Sequence, residues 1–251
     1  MEVPESLVGW QRLEARLKGV GVPRSAVAAL ASRCTLVRYP KGAVLFRQGG
    51  SGDLIFVLLS GAAKVYCPVQ GAASILMEVA APGDLLGYAD FLDSAGARRQ
   101  IFEVHALAPC SVALFTRSHI AEVLNALELN VLVHLLERAG SLWADIIRRH
   151  VRLLGMSLRE RLQAVFDELG TKFGVEDARG VLIPLEIGQE DLAQMIGSSR
   201  PMVSRLLAEM TQQHSIARQG KNYIIPRTPV VPHRVHAQLL RRNIERIIES
   251  R

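Results

Sequence analysis

The chain has 251 residues, is 49% hydrophobic and 22% charged, and carries a formal net charge of +6 with a pI of about 9.6. That composition excludes a disordered or fibrous chain and allows one large folded domain or two ordinary ones. No run of about 18 apolar residues occurs, so no transmembrane helix is expected. The opening MEVPESLVGW lacks the basic and apolar regions of a signal peptide. Cys34, Cys67 and Cys110 are odd in number, far apart and in no metal or redox spacing, which fits reduced, buried thiols in a cytoplasmic protein. The charge is uneven: from Thr211 onward there are 8 basic and 2 acidic residues. A basic C-terminal part points to an anionic partner, nucleic acid first.

Residues 1–33 hold two helical stretches, LVGWQRLEARL and SAVAALASR. From Cys34 to about Phe115 the pattern becomes short and strand-like. TLVRYPKGAVLFRQG turns at Pro40-Lys41-Gly42 and again at Gly49-Gly50. DLIFVLLSGAAKVY turns near Gly61, and ASILMEVAAPGDLLG, IFEVHALAP and CSVALF follow. Glycine punctuation about every 8–12 residues argues for an antiparallel sandwich or barrel.

The period changes after Thr116. From Ser118 to about Leu154 the only Gly or Pro is Gly140, and Leu132, Leu135, Ala139, Leu142, Ile146 and Leu153 form one narrow stripe. A buried core helix would want a wider apolar face, whereas a coiled-coil seam wants this stripe. The length favours a dimer seam, although Arg149 falls on it and its upstream continuation lands on Glu128. After Gly155, Ser157 to Glu160 (SLRE) has the form of a capping box opening a second domain.

The stretch QEDLAQMIGSSRPMVSRLLAEM, residues 189–210, reads as two short helices joined by a three-residue turn, a helix-turn-helix. Ala193 is small where the helices must cross, and Gly197 sits where the chain turns, at an expected positive φ. Leu192, Ile196, Val203 and Leu206 are apolar where the helices face each other. Ser199 is placed to cap the second helix, and Pro201 falls in its first turn, where a missing N–H has no helical partner. Arg200, Ser204 and Arg205 are left on the exposed N-terminal part. Such a helix fits the major groove, where arginine bonds guanine O6 and N7 bidentately. SIARQGKNYIIP then reads as a hairpin, a wing with Arg218 and Lys221 near its tip, within reach of phosphates.

Over about residues 15–227 the chain resembles the Crp/Fnr superfamily of bacterial transcription regulators. YPKGAVLFRQG, DLIFVLLSGAAKVY and PGDLLGYADFL resemble the family's glycine-punctuated β-roll, and residues 189–210, from Gln189 through Arg205, its reading head. The resemblance implies an α+β fold: an N-terminal antiparallel jelly-roll or β-roll sensor domain, a long central dimerisation helix and a C-terminal winged helix-turn-helix domain. The boundaries expected are 1–116, 117–155 and 156–228, with an extra basic C-terminal helix over 229–251. It also implies a homodimer, double-stranded DNA with a two-fold symmetric site as partner, control by a small-molecule effector, and no membrane association or catalysis. Activation would require a surface for RNA polymerase, and no motif marks one.

Departures from the family pattern bear on the effector. In the cyclic-AMP-binding branch a glutamate after the matching turn holds the ribose; here Gly87 is followed by Tyr88. Counting back from Cys110 without gaps puts Gln100-Ile101 at that branch's Arg-Ser pair, with Arg98-Arg99 just upstream. Ile146 and Ile147 fall where polar residues contact the adenine. Cyclic AMP is therefore not the expected effector, since a cyclic phosphate needs a fixed cation or N–H cradle. The pocket residues expected are Gly87, Tyr88, Ala89, Arg99, Gln100, Ile101, Trp143, Ile146 and Ile147, holding an unidentified ligand or filled by side chains. An iron–sulfur cluster lacks its cysteines. Haem would need an axial ligand from His105, His134 or His150, for which a polar surface role is the plainer reading. In the reading head Pro201 replaces the family's glutamate between the two arginines, so half-site preference is expected to differ at the base pair that glutamate reads. Two other classes compete. A metal enzyme of cupin type needs several strand histidines, and only His105 precedes Phe115 in the β region. A ligand-binding module that has lost DNA binding is opposed by Arg200, Arg205 and the wing.

Overall fold

A computed structural model describes residues 5–18, 22–69, 71, 74–88 and 100–227, with backbone only for many positions between 138 and 154. Helices α1 (Glu5–Lys18) and α2 (Arg24–Arg33) precede eight strands: β1 (Thr35–Tyr39), β2 (Val44–Phe46), β3 (Leu54–Ser60), β4 (Ala63–Cys67), β5 (Ile75–Ala80), β6 (Leu85–Leu86), β7 (Glu103–Ala106) and β8 (Cys110–Thr116). They pair antiparallel in two four-stranded sheets, β1-β8-β3-β6 and β2-β7-β4-β5. The expected turns at 40–42, 49–50 and 61 separate the first four strands. Strand β3 is apolar along almost its whole length because both of its faces are covered. Phe56 and Leu58 enter the core between the sheets. Val57 and Leu59 pack under α1, where the Trp10 ring meets Phe115 edge-on at 6.1 Å.

Segment 117–155, expected to be one helix, is two: α3 (Arg117–Asn125) and α4 (Leu129–Leu154). Ala126 and Leu127 donate to the carbonyls of Val123 and Leu124 at 3.2 and 3.0 Å, closing α3. Leu127 then packs with Val22, Val27 and Val131. Burial of this small apolar cluster, rather than a breaker residue, interrupts the helix. Glu128 accordingly precedes α4, which is why the apolar stripe does not continue onto it.

The second unit comprises α5 (Leu158–Phe173), β9 (Val175–Asp177), β10 (Gly180–Ile183), α6 (Gln189–Ile196), α7 (Arg200–Gln212), β11 (Ala217–Gln219) and β12 (Asn222–Pro226). The capping box forms as expected: Glu160 N–H donates to Ser157 Oγ at 3.3 Å, and Ser157 N–H donates to Glu160 Oε2 at 2.8 Å. Leu162, Phe166, Ile183, Leu192, Val203 and Tyr223 fill the core. That core does not stop at the domain: Leu76, Val79 and Leu107 of the β-roll belong to it. Ion pairs ring the junction. Lys64 Nζ lies 2.9 Å from Asp191 Oδ1, and Lys41 Nζ 2.6 Å from Glu186 Oε2. Lys172 Nζ reaches Glu78 and Glu168, each at 3.2 Å, and the carbonyl of Val79 at 3.1 Å.

Burial pushes the Lys172 ammonium down, but Glu78 and Glu168 push it up further, so its pKa stands above the ordinary lysine value. A raised lysine contributes stability that is complete below the unfolded value of about 10.4 and is lost as pH rises through the folded one. Lys172→Ala is expected to lower the unfolding free energy by about 1–3 kcal/mol. In urea melts at a series of pH values the deficit should stay constant through neutral pH and close only in the strongly alkaline range. A deficit that vanishes near neutrality would contradict this assignment.

Candidate DNA-reading head and sensor pocket

Helix α6 is capped at Gly188, just before its first residue, and the Gly188 N–H donates to Asp191 Oδ2 at 3.2 Å. It ends at Gly197, which takes the left-handed conformation expected of it (φ 65°, ψ 48°), and the Ser198 N–H donates back to Ala193 O at 2.9 Å. Ser199 occupies the cap position of α7, but its side chain makes no capping hydrogen bond; its carbonyl accepts from Val203 N–H at 3.0 Å instead. Pro201 follows in the first turn, where its lost donor is harmless.

The faces of α7 then separate. Val203, Leu206, Leu207 and Met210 are buried, while Arg200, Pro201, Ser204 and Arg205 are exposed. The Arg205 guanidinium lies along the helix, donating to Met202 Sδ at 3.0 Å and standing 3.8 Å from Glu209 Oε1. An exposed pair of this kind orients a side chain more than it stabilises the fold. Gln189, half-buried, stands at the first turn of α6. In the wing, β11 and β12 are joined through Gly220 and Lys221. Arg218 sits over the Tyr223 ring at 5.7 Å, and Lys221 Nζ is 3.3 Å from Glu186 Oε2. The exposed cations of α7 and those of the wing thus belong to one small unit. Sequence reading missed Lys41, Lys64, Glu186 and Asp191. Lys41 and Glu186 are 145 residues apart, and Lys64 and Asp191 are 127 apart, so no local pattern links them.

In the β-roll, Gln100 is only 2% exposed. Its backbone pairs with Gly49 and Gly50 at 2.8 and 2.9 Å. Its amide Nε2 donates to the carbonyls of Ser51 and Leu54 at 3.2 and 3.4 Å, while Oε1 is buried without a partner. Exchanging the two amide atoms would set Oε1 against those carbonyls, so the assignment follows from the bonding. Gly87 closes against this group with φ +79°: a Cβ there would stand 2.9 Å from Leu54 O and 3.3 Å from Gln100 Nε2. Burial first, then Glu78 and Asp84, raise the Tyr88 phenol. Ile101 and Ile147, both expected at the pocket, are 43% and 60% exposed. Ala89 and Arg99, and the side chains of Trp143 and Ile146, lie outside the described residues.

Of the expected seam, Leu132 is half-buried and Leu135 packs against the chain's own Val22, Val27 and Val131. Among the described residues of α4, the exposed large apolar side chains are Leu129 at 76%, Val133 at 44%, Leu136 at 69% and Ile147 at 60%. The side chains of Ala139, Leu142, Ile146, Leu153 and His150, and the tail 229–251, lie outside the described residues. His105 pairs with Glu103, and His134 is exposed. Cys34, Cys67 and Cys110 are free thiols; burial raises the pKa of Cys34 and Cys110, the latter fully buried. Among the described residues no group of three or more His, Cys, Asp or Glu could hold a metal, and no helix is long and apolar enough to cross a membrane.

A sandwich of two antiparallel sheets joined to a winged helix-turn-helix defines a class of DNA-binding protein with a cyclic-nucleotide-binding type of sensor domain. Family models agree: the cyclic nucleotide-binding domain matches residues 36–126, and the Crp-like helix-turn-helix domain matches residues 160–229. The CRP-like cAMP-activated global transcriptional regulator of Mycobacterium tuberculosis is 30% identical over 210 residues, covering 82% of this chain and 90% of the relative. Among solved structures, the c-di-GMP responsive global regulator CLP of Xanthomonas campestris superposes with a TM-score of 0.68 at 16% identity, covering 82% of this chain and all of that one. FixK2 from Bradyrhizobium japonicum gives 0.64 at 20% identity, covering 78% and 93%. The chain belongs to the Crp/Fnr superfamily and is a DNA-binding transcription regulator.

Gly197 tests the head's geometry. A Cβ there would meet nothing nearer than Arg161 Nη1 at 3.8 Å, so only the backbone conformation resists substitution. Gly197→Ala is expected to cost about 1–2 kcal/mol in denaturant unfolding, and Gly197→Asn less. Equal, negligible effects would contradict a left-handed residue at this turn.

Proposed function

We propose that the chain works as a homodimer that reads a two-fold symmetric DNA site with the N-terminal half of α7. Arg200 and Arg205 contact base edges, Gln189, Ser199 and Ser204 assist at the backbone and groove, and Arg218 and Lys221 of the wing meet phosphates. The observation that carries this reading is the division of α7: one face is locked into the core, and the other presents both arginines beside the turn set by Gly197. The dimer forms along α4 through Leu129, Val133, Leu136 and Ile147. Their spacing keeps one heptad register, and their exposure in the single chain leaves them available to a second copy.

Control passes through the β-roll by an effector other than cyclic AMP. The relative from Mycobacterium tuberculosis is named as cAMP-activated, but here Tyr88 and Gln100 stand where the cyclic-AMP-binding branch places its glutamate and arginine. A second reading, regulation without an effector, is favoured by Gln100: it fills its site and bonds to the protein's own carbonyls.

Selection from a random DNA pool with purified, ligand-free protein tests the reading head. Wild type is expected to enrich a two-fold symmetric site. Arg200→Ala/Arg205→Ala should not, since each guanine contact supplies about 1–3 kcal/mol of discrimination. Recovery of the same site by the double variant would overturn the assignment.

A further inference from the structure

The two arginines of α7 are held differently. Arg205 is braced from both sides along the exposed face: its Nη2 donates to Met202 Sδ at 3.0 Å, and its Nε stands 3.8 Å from Glu209 Oε1. Among the described residues, Arg200 has no hydrogen-bond or ion-pair partner. Glu209 is poorly placed to serve the helix itself. It lies in the last turn of α7, at the negative end of the helix dipole. It also follows its arginine by four residues, the less stabilising order for such a pair. The core does not use it either, since it is exposed. What Glu209 does reach is the guanidinium of Arg205.

We infer that Glu209 is a positioning residue for base reading, acting through Arg205, and that it makes Arg205 the more discriminating of the two arginines. The inference rests on the reading of α7 as the DNA-facing helix. A bidentate guanine contact needs two N–H groups of one guanidinium aimed together at O6 and N7. A carboxylate beside Nε leaves the Nη1 and Nη2 edge for the base and narrows the rotamers that binding must otherwise freeze out. The thioether of Met202 is a weak acceptor, so Nη2 exchanges it for guanine at little cost. The same carboxylate repels neighbouring phosphates, which disfavours the alternative in which Arg205 turns to the DNA backbone. Arg200, without a brace, is free to serve base or phosphate.

The test uses full-length protein, with Arg200→Ala and Arg205→Ala first assigning the base pair that each arginine reads in the selected site. Affinities are then measured on that site, on sites changed at either base pair, and on unrelated duplex. Wild type is expected to discriminate at the Arg205 base pair by roughly 5- to 150-fold, the ratio one bidentate contact supplies, and less steeply at the Arg200 base pair. Glu209→Ala should reduce the Arg205 ratio about two- to fivefold, leave the Arg200 ratio unchanged and raise affinity for unrelated duplex. In an Arg205→Ala background the same change should leave both ratios as they were. An equal fall in both ratios, or a fall that persists without Arg205, would mark a general effect on the helix and overturn the inference. So would a uniform rise in affinity on every duplex with the ratios intact, which repulsion of phosphates alone would give. If Arg205→Ala leaves the selected site unchanged, the reading head itself is misassigned, and the inference falls with it.

Discussion

Helix α6 is held from two sides, and the position of the reading helix follows from that. One face packs Leu192 and Ile196 into the core of its own domain, and that core continues without a gap into Leu76 and Val79 of the sensor sheet. Asp191 joins both tasks in one side chain: Oδ2 caps the start of α6, and Oδ1 binds Lys64 of β4. Because Gly197 fixes the angle between α6 and α7, a helix anchored to the β-roll sets where Arg200 and Arg205 point.

The junction combines a non-directional attraction with directional restraints. Apolar burial brings the domains together, at roughly 25 cal/mol per Å² removed from water. Half-buried ion pairs add little net energy but penalise misplacement, because a displaced partner leaves a desolvated charge behind. The half-buried pairs Lys64–Asp191 and Lys172–Glu78 span this boundary, and the exposed pair Lys41–Glu186, which carries no such penalty, spans it as well. They select one arrangement of sensor and head, and a shift in the sheet would be felt at the cap of α6.

The features readable in the sequence were those fixed by neighbours in the chain. Gly197 and Pro201 mark the helix-turn-helix because their backbone demands are local, and Ser157 with Glu160 marks a helix start for the same reason. The interruption at 126–128 was not readable: no glycine or proline stands there, and Leu127 is drawn inward by residues of α2 that lie about a hundred positions away. The same contact turns Leu135 toward the chain's own core and moves the exposed stripe of α4 to Leu129, Val133 and Leu136. Gln100 could be placed by counting, but its near-complete burial depends on carbonyls of the turn before β3. The ion pairs across the junction link residues more than ninety positions apart, where no periodicity reports.

A double-mutant cycle on Lys64 and Asp191 tests the junction most directly, with unfolding free energies measured for wild type, Lys64→Ala, Asp191→Ala and the double variant. Asp191→Ala also removes the α6 cap, but that loss is common to both backgrounds and cancels in the cycle. A pair that couples the domains predicts an interaction energy of about 0.5–3 kcal/mol, with the double variant less destabilised than the two single effects together. Strict additivity would mean that the sensor sheet does not hold the head through this pair, and the link from β-roll to reading helix would have to be sought elsewhere.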